Sequence, residues 1–319
     1  MEGPLSLQDN AYELMKLFPD GGSIFEVISR YDDLLALEGR EGYEPGDTLA
    51  LIVPFLVCHG VSEEDIAGLA AKAGLVDGAR ELVSSLKDWH VFCISTSYEQ
   101  YAGCIIRRVG ISSDNVACTR FPLDRYRSLL SKEDLSVVGE IEREILALTP
   151  EGDESMKKRL DRFFWTELTG TSLGLALDEV KPMGGRRKVA ALERFAQAHE
   201  QSLERAVVVG DSITDARMLE AVNSAGGLAI AFNANEYALP FATVGLASTN
   251  IGDLKPILDA WQEGGKDAVQ RIVREKEKEG QKGDRGNFQW LEGRIDIEQP
   301  LQVHKRIRRI VREEAGKLG

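Results

Sequence analysis

The chain has 319 residues, enough to bury a full core in a main domain with at least one smaller domain beside it. Its formal net charge of −13 and pI near 5.0 argue against nucleic acid or an anionic membrane surface as the partner of the whole molecule. The cysteines Cys58, Cys93, Cys104 and Cys118 have no C-x-x-C spacing and the four histidines no metal-ligand spacing, so buried thiols in a reducing compartment are expected rather than disulfides or zinc. No signal peptide and no apolar run long enough to span a bilayer is recognisable, and a cytoplasmic protein is expected.

In chain order, Met1-Glu2-Gly3-Pro4 comes first, a Gly-Pro turn of the kind that ordinarily follows a structured element. Residues 10–75 carry helical apolar stripes, such as Ile24, Phe25, Val27 and Ile28, and a nearly continuous apolar run over 48–57. Ser62 with Asp65 three residues on predicts a capped helix start. Residues 77–86 form one more helix. Residues 90–94 read as a buried strand that runs into Ser95-Thr96-Ser97-Tyr98. Hydroxyls and backbone N–H groups at the carboxyl end of a parallel strand can hold a phosphate, although Ser-Thr-Ser there also reads as a helix cap. A helix over 101–109 and a strand over 116–119 follow.

Residues 121–183 are rich in charged helix formers, with Phe163, Phe164 and Trp165 as ordinary core. After Lys181-Pro182-Met183-Gly184-Gly185 an amphipathic helix opens with Lys188 in its first turn. Cations are disfavoured at a helix N-terminus, so Lys188 hints at a bound anion, and a solvated basic turn is the plain alternative. Strands are predicted at 227–232 and 243–247, with Asn233-Ala234-Asn235 as a loop at the site edge. Residues 253–278 read as helix, 280–287 as a polar mobile linker, and 304–312 as a basic amphipathic helix docked by Ile307, Ile310 and Val311.

The rest is organised around Val207-Val208-Val209-Gly210-Asp211-Ser212-Ile213-Thr214-Asp215. A β-branched run fits a buried parallel strand, and Gly210 permits a sharp exit from it. With a helix starting near Thr214, Asp211 and Asp215 both stand at the carboxyl end of that strand, where ligands of open α/β sheets bind. Two carboxylates there make a hard-oxygen site suited to Mg²⁺; a strand, a turn and an N-cap Asp are the plain alternative.

Taken together and in order, these motifs resemble the haloacid dehalogenase superfamily of phosphohydrolases over most of residues 1–250. Gly210 to Asp215 is similar to its fourth, acidic motif, residues 91–95 to its second and Lys188 to its third, with Lys181 in reserve. The nearest likeness is to the phosphoserine-phosphatase-like branch. Residues 94–101 and 229–238 resemble a group of uncharacterised archaeal members, some labelled as an energy-converting hydrogenase A subunit. The resemblance implies a doubly wound, Rossmann-type parallel sheet with helical cap insertions. Its α/β core would comprise 1–9, 76–120 and 184–255, with a cap at 10–75, an insertion at 121–183 and a helical extension at 256–319.

The family's first motif is a strand ending in Asp-x-Asp, or here Asp-x-Glu-Gly-Pro, whose first Asp is the nucleophile. Only its tail, Met1-Glu2-Gly3-Pro4, is present, so the resemblance puts the nucleophile and its strand before Met1 and implies that the chain as given is inactive. It further implies a Mg²⁺-dependent phosphomonoester hydrolase acting on a small phosphorylated metabolite through an aspartyl-phosphate. Asp211, Asp215 and Glu2 would hold the metal, and Ser95, Thr96 and Lys188 the phosphate. Glu2 would act as general acid and base, and Asp215 would ligate through water or position Lys188. The other reading is a non-catalytic regulatory or assembly subunit that keeps the phosphate pocket as a ligand sensor.

Overall fold

The computed structural model describes residues 1–147, 152–279 and 283–312. It is a mixed α/β chain with two sheets. Strands β1 (Cys93–Tyr98) and β2 (Val116–Thr119) pair in parallel. Strands β3 (Val207–Gly210), β4 (Leu228–Phe232) and β5 (Val244–Ala247) form a second parallel set, closed by antiparallel β6 (Asn287–Trp290). Every residue of β4 and β5 is buried, which is why their sequences are continuously apolar or small rather than alternating. Among the described residues no helix is long and apolar enough to cross a membrane.

Three departures from the sequence reading concern strands. Residues 91–94 and 207–209 were expected in one sheet, yet β1 and β3 share no ladder. They are joined through side chains: Cys93 of β1 is buried in the same core as Leu228 and Ile230, with Val207 and Val209 of β3 packed against it. Residues 1–6 supply no strand between them. Leu5 and Ser6 both donate to the Met1 carbonyl (2.8 and 3.1 Å), which curls the segment into a turn. Second, β1 starts at Cys93 and runs through Ser95, Thr96 and Ser97, so the hydroxyl residues belong to the strand itself. Third, the polar segment 280–287 ends in β6; its residues 280–282 lie outside the described residues. Asn287 and Gln289 alternate with Phe288 and Trp290, a half-apolar pattern too short to stand out beside Gly283 and Gly286.

Helices cover 10–72, 123–147 and 153–179 apart from short connections. Their apolar stripes meet in one core that holds Ile28, Tyr31, Phe55, Ile141 and Phe163, and Tyr98 of β1 reaches into it. Truncating a residue such as Phe163, fully buried there, costs about 3–5 kcal/mol on the usual scale of Phe→Ala changes. The Ser62–Asp65 capping box forms as expected: Ser62 Oγ accepts from the Asp65 N–H at 3.1 Å, and Asp65 Oδ2 accepts from the Ser62 N–H at 2.9 Å. Phe163 and Phe164 are buried, whereas Trp165 is partly exposed and donates its indole N–H to the Tyr31 hydroxyl at 2.8 Å. All four cysteines are free thiols.

Candidate functional site

Asp211 and Asp215 sit at the carboxyl end of β3, on a single turn of 3-10 helix (Ile213–Asp215) that leads into the helix Ala216–Ser224. Both carboxylates are buried. Gly210 is required by close approach: a Cβ there would stand 2.5 Å from the Asp215 Cβ. The Asp215 side chain folds back so that Oδ2 accepts from the backbone N–H groups of Asp211 (2.9 Å) and Ser212 (3.3 Å). Its Oδ1 accepts from Lys188 Nζ at 2.6 Å, and Lys188 also donates to Thr214 Oγ1 at 3.2 Å.

Lys188 is buried in the first turn of the helix Gly185–Ala198. A cation at that position is unfavourable for the helix, and the buried Asp215 carboxylate offsets it. Burial pushes the Asp215 carboxyl upward, but Lys188 beside it and the backbone donors outweigh that and leave it below the ordinary carboxylate value. Asp215 is therefore paired with Lys188 as an ionised carboxylate.

Asp211 is engaged by residues that sequence reasoning did not place at the site. Its Oδ2 accepts from Arg308 Nη1 at 2.6 Å and from Arg312 Nη2 at 2.9 Å. The same Arg308 nitrogen donates to the carbonyls of Asp211 and Asn233, both at 3.2 Å. These arginines belong to the helix Glu298–Arg312, on which His304, Arg308 and Arg312 recur every four residues and so share a face. Ile307 is buried as expected, but Ile310 is half exposed: the docked face is turned towards the arginines. A basic i, i+4 pair ordinarily reads as a solvated face, and the available signal was its continuation upstream in His304 and Leu301.

The 233–235 loop lies at this edge as expected. The Asn235 N–H donates to the Asp211 carbonyl at 3.0 Å. Asn233 adopts a left-handed φ of 49° and exchanges two hydrogen bonds with the Ser248 backbone.

Glu2 approaches from the other side. Its Oε1 accepts from Ser97 Oγ at 2.9 Å and from the Asn10 N–H at 3.1 Å. Burial raises its carboxyl to about 7, helped by Asp9 and opposed by Ser97 and Arg312. Gly3 has a φ of +87°, and a Cβ on it would stand 2.5 Å from Asp211 Cγ and 2.7 Å from Arg312 Nη2, so only glycine fits. Ser95 is buried, and its Oγ accepts from the Ser97 N–H at 3.1 Å. Thr96 turns elsewhere, donating to the Met183 carbonyl at 3.1 Å. Lys188, Asp215, Asp211, Gly3, Glu2, Ser97 and Ser95 thus form one connected set. Lys181 instead lines an open cleft with Glu179 and Arg194.

The loop between the first helices and this edge covers it. A Cβ on Gly46 would stand 2.8 Å from Thr96 Cγ2 and 3.1 Å from Thr214 Cγ2. Glu44 and Asp47 on either side pair with Arg186 and Arg187 of the lysine-bearing helix.

The expected Mg²⁺ site does not fit the residues as they stand. Asp211 Oδ2 holds two guanidinium groups, Asp215 is committed to Lys188 and backbone donors, and the Glu2 side chain is bonded to Ser97 and Asn10. Among the described residues no group of three or more His, Cys, Asp or Glu is placed to hold a metal ion. What the set offers chemically is a buried ammonium, two guanidinium groups, hydroxyls and a carboxyl of raised proton affinity, a combination suited to an anion that carries oxygen acceptors.

No protein-family model and no curated protein matches the chain. A solved structure does, that of gene product AF1437 from Archaeoglobus fulgidus, with a TM-score of 0.86 and 30% sequence identity over 100% of this chain and 97% of that one. Extensive likeness in both fold and sequence is carried by that match, and the chain belongs to the family of AF1437.

Proposed function

We propose that the chain is a phosphomonoester-recognising α/β protein of the haloacid dehalogenase type, with a small phosphorylated metabolite as its ligand. The observation that carries this reading is the Lys188–Asp215 pair, at 2.6 Å, tied to the Asp211 backbone at the end of β3. Such a pair presents a fixed ammonium to phosphoryl oxygens, and the Ser95 hydroxyl of the same connected set is the donor this reading adds to it. In the doubly wound sheet of this reading, β1 and β3 flank the first-motif strand, which agrees with their sharing a core without sharing a ladder. Glu2, with its carboxyl raised to about 7, suits a group that gives a proton and takes one back near neutral pH.

As a hydrolase, the reading needs an attacking carboxylate at the end of an apolar strand beside β1 and β3. Asp211, Asp215 and Glu2, the described carboxylates of the set, are committed to the arginines, to Lys188 and to Ser97 with Asn10. Three forms test it: the chain as given, the chain extended before Met1 by an apolar strand ending in Asp, and the same extension ending in Asn. Turnover of p-nitrophenyl phosphate, with and without Mg²⁺, is expected in the Asp form alone, with both extended forms more heat-stable than the chain as given. Turnover by the chain as given, or none by a well-folded Asp form, would sink the hydrolase reading. The second reading, a non-catalytic regulatory or assembly subunit, is favoured by one observation, the closure of Asp211 by Arg308 and Arg312.

A further inference from the structure

We infer that Arg308 and Arg312 are the resident cations of the carboxylate edge, so that the helix Glu298–Arg312 is a built-in plug that competes with a divalent metal for Asp211. The inference rests on the phosphoester reading for the position a metal would take, but it concerns binding rather than turnover, so either can fail alone.

Arg308 Nη1 has three oxygens within 3.2 Å, one from the Asp211 carboxylate and one each from the carbonyls of Asp211 and Asn233. A carboxylate and two carbonyls converging on one point are the kind of oxygen set that a hard cation takes, and here a guanidinium nitrogen occupies it. Arg312 adds a second positive group to the same carboxylate oxygen at 2.9 Å, and Lys188 a third cation on neighbouring Asp215. Three cations therefore face Asp211 and Asp215, and a divalent ion brought to Asp211 would be repelled unless the arginines left.

The plug is also built to be displaced. Arg308 Nε is buried with no hydrogen-bond partner, so docking leaves a charged group's donor unpaired. A competitor for Asp211 would relieve that cost. The helix is held besides by Leu301, Val303, His304 and Ile307, all buried, with Val303 and Ile307 packed on Ala247 of β5 and His304 bonded to Gln289 of β6.

Calorimetric titration of Mn²⁺ into the full chain tests this without any substrate. The wild type is expected to show no Mn²⁺ site that depends on Asp211. The Arg308→Ala/Arg312→Ala double variant is expected to bind Mn²⁺ at least about tenfold more tightly and to gain thermal stability from it. Adding Asp211→Asn should remove that gain. If the double variant does not fold, Arg308→Lys/Arg312→Lys keeps the charge, shortens the reach and should give the same change in smaller measure. The inference is overturned if the wild type already binds Mn²⁺ in an Asp211-dependent way, or if folded arginine variants gain no affinity.

Discussion

Asp215 holds the site together through its charge and both of its oxygens. One oxygen takes the Lys188 ammonium and the other two backbone N–H groups, all in a buried setting. Replacing it with Ala would strand Lys188 and two donors away from water. Breaking one side of a buried pair costs about 3–5 kcal/mol, so Asp215→Ala should lower unfolding free energy in urea by that order. A loss below about 1 kcal/mol would mean that water reaches Lys188. Asp211, Asp215, Lys188 and Ser95 were legible in the sequence because each sits at a fixed offset from a strand end or helix start. Arg308 and Arg312 were not: no local pattern separates an arginine facing a carboxylate some 97 residues away from one facing solvent. The expectation that Glu2 would help hold a metal missed its neighbours for the same reason, since Ser97 meets it through tertiary packing and not by spacing.

At the scale of elements, the arginine-bearing helix is fixed by His304 as much as by its apolar residues. His304 is fully buried; its Nδ1 accepts from the Ala234 N–H at 2.8 Å, and its Nε2 lies 3.1 Å from Gln289 Oε1. With Nδ1 accepting, the proton of the neutral ring belongs on Nε2, which donates to Gln289. Burial, and then Arg308, lower the His304 pKa to about 3. The unfolded chain binds this proton near pH 6.5 and the folded chain does not, so the stability is present above 6.5 and is lost as pH falls towards 3. Between pH 7.5 and pH 5 the wild type should lose about 2 kcal/mol through this group. His304→Asn, which keeps an acceptor for Ala234, should be less stable at neutral pH but lack that part of the slope. Parallel urea melts at several pH values check it, and equal slopes would show that His304 is charged when folded. Strands with continuous β-branched or apolar runs were readable at this scale; β6 was not, because half of it is amide side chain and its partner β5 lies some 40 residues upstream.

For the whole molecule, the helical stripes of 10–75 and 121–183 were plain in the sequence, but their common core was not. That core takes Tyr98 and Tyr101 from the β1 side and so binds the helices to the same segment that carries Ser95 and Ser97. The Pro45–Gly46 loop, anchored through Glu44–Arg186 and Asp47–Arg187, closes over Thr96 and Thr214, which places the helical layer above the carboxylate edge. Sheet continuity was the expectation that failed, because ladder pairing is a property of backbone neighbours that apolar runs alone do not specify. The central claim is that this edge recognises phosphoryl oxygens through Lys188. Its most direct test is calorimetric titration of inorganic phosphate into the wild type and into the neutral pair Lys188→Met/Asp215→Asn, which removes both charges together and avoids a stranded ion. The account predicts binding by the wild type and at least about tenfold weaker binding by the folded pair variant. Equal affinity in the two, or no phosphate binding by the wild type, would contradict it.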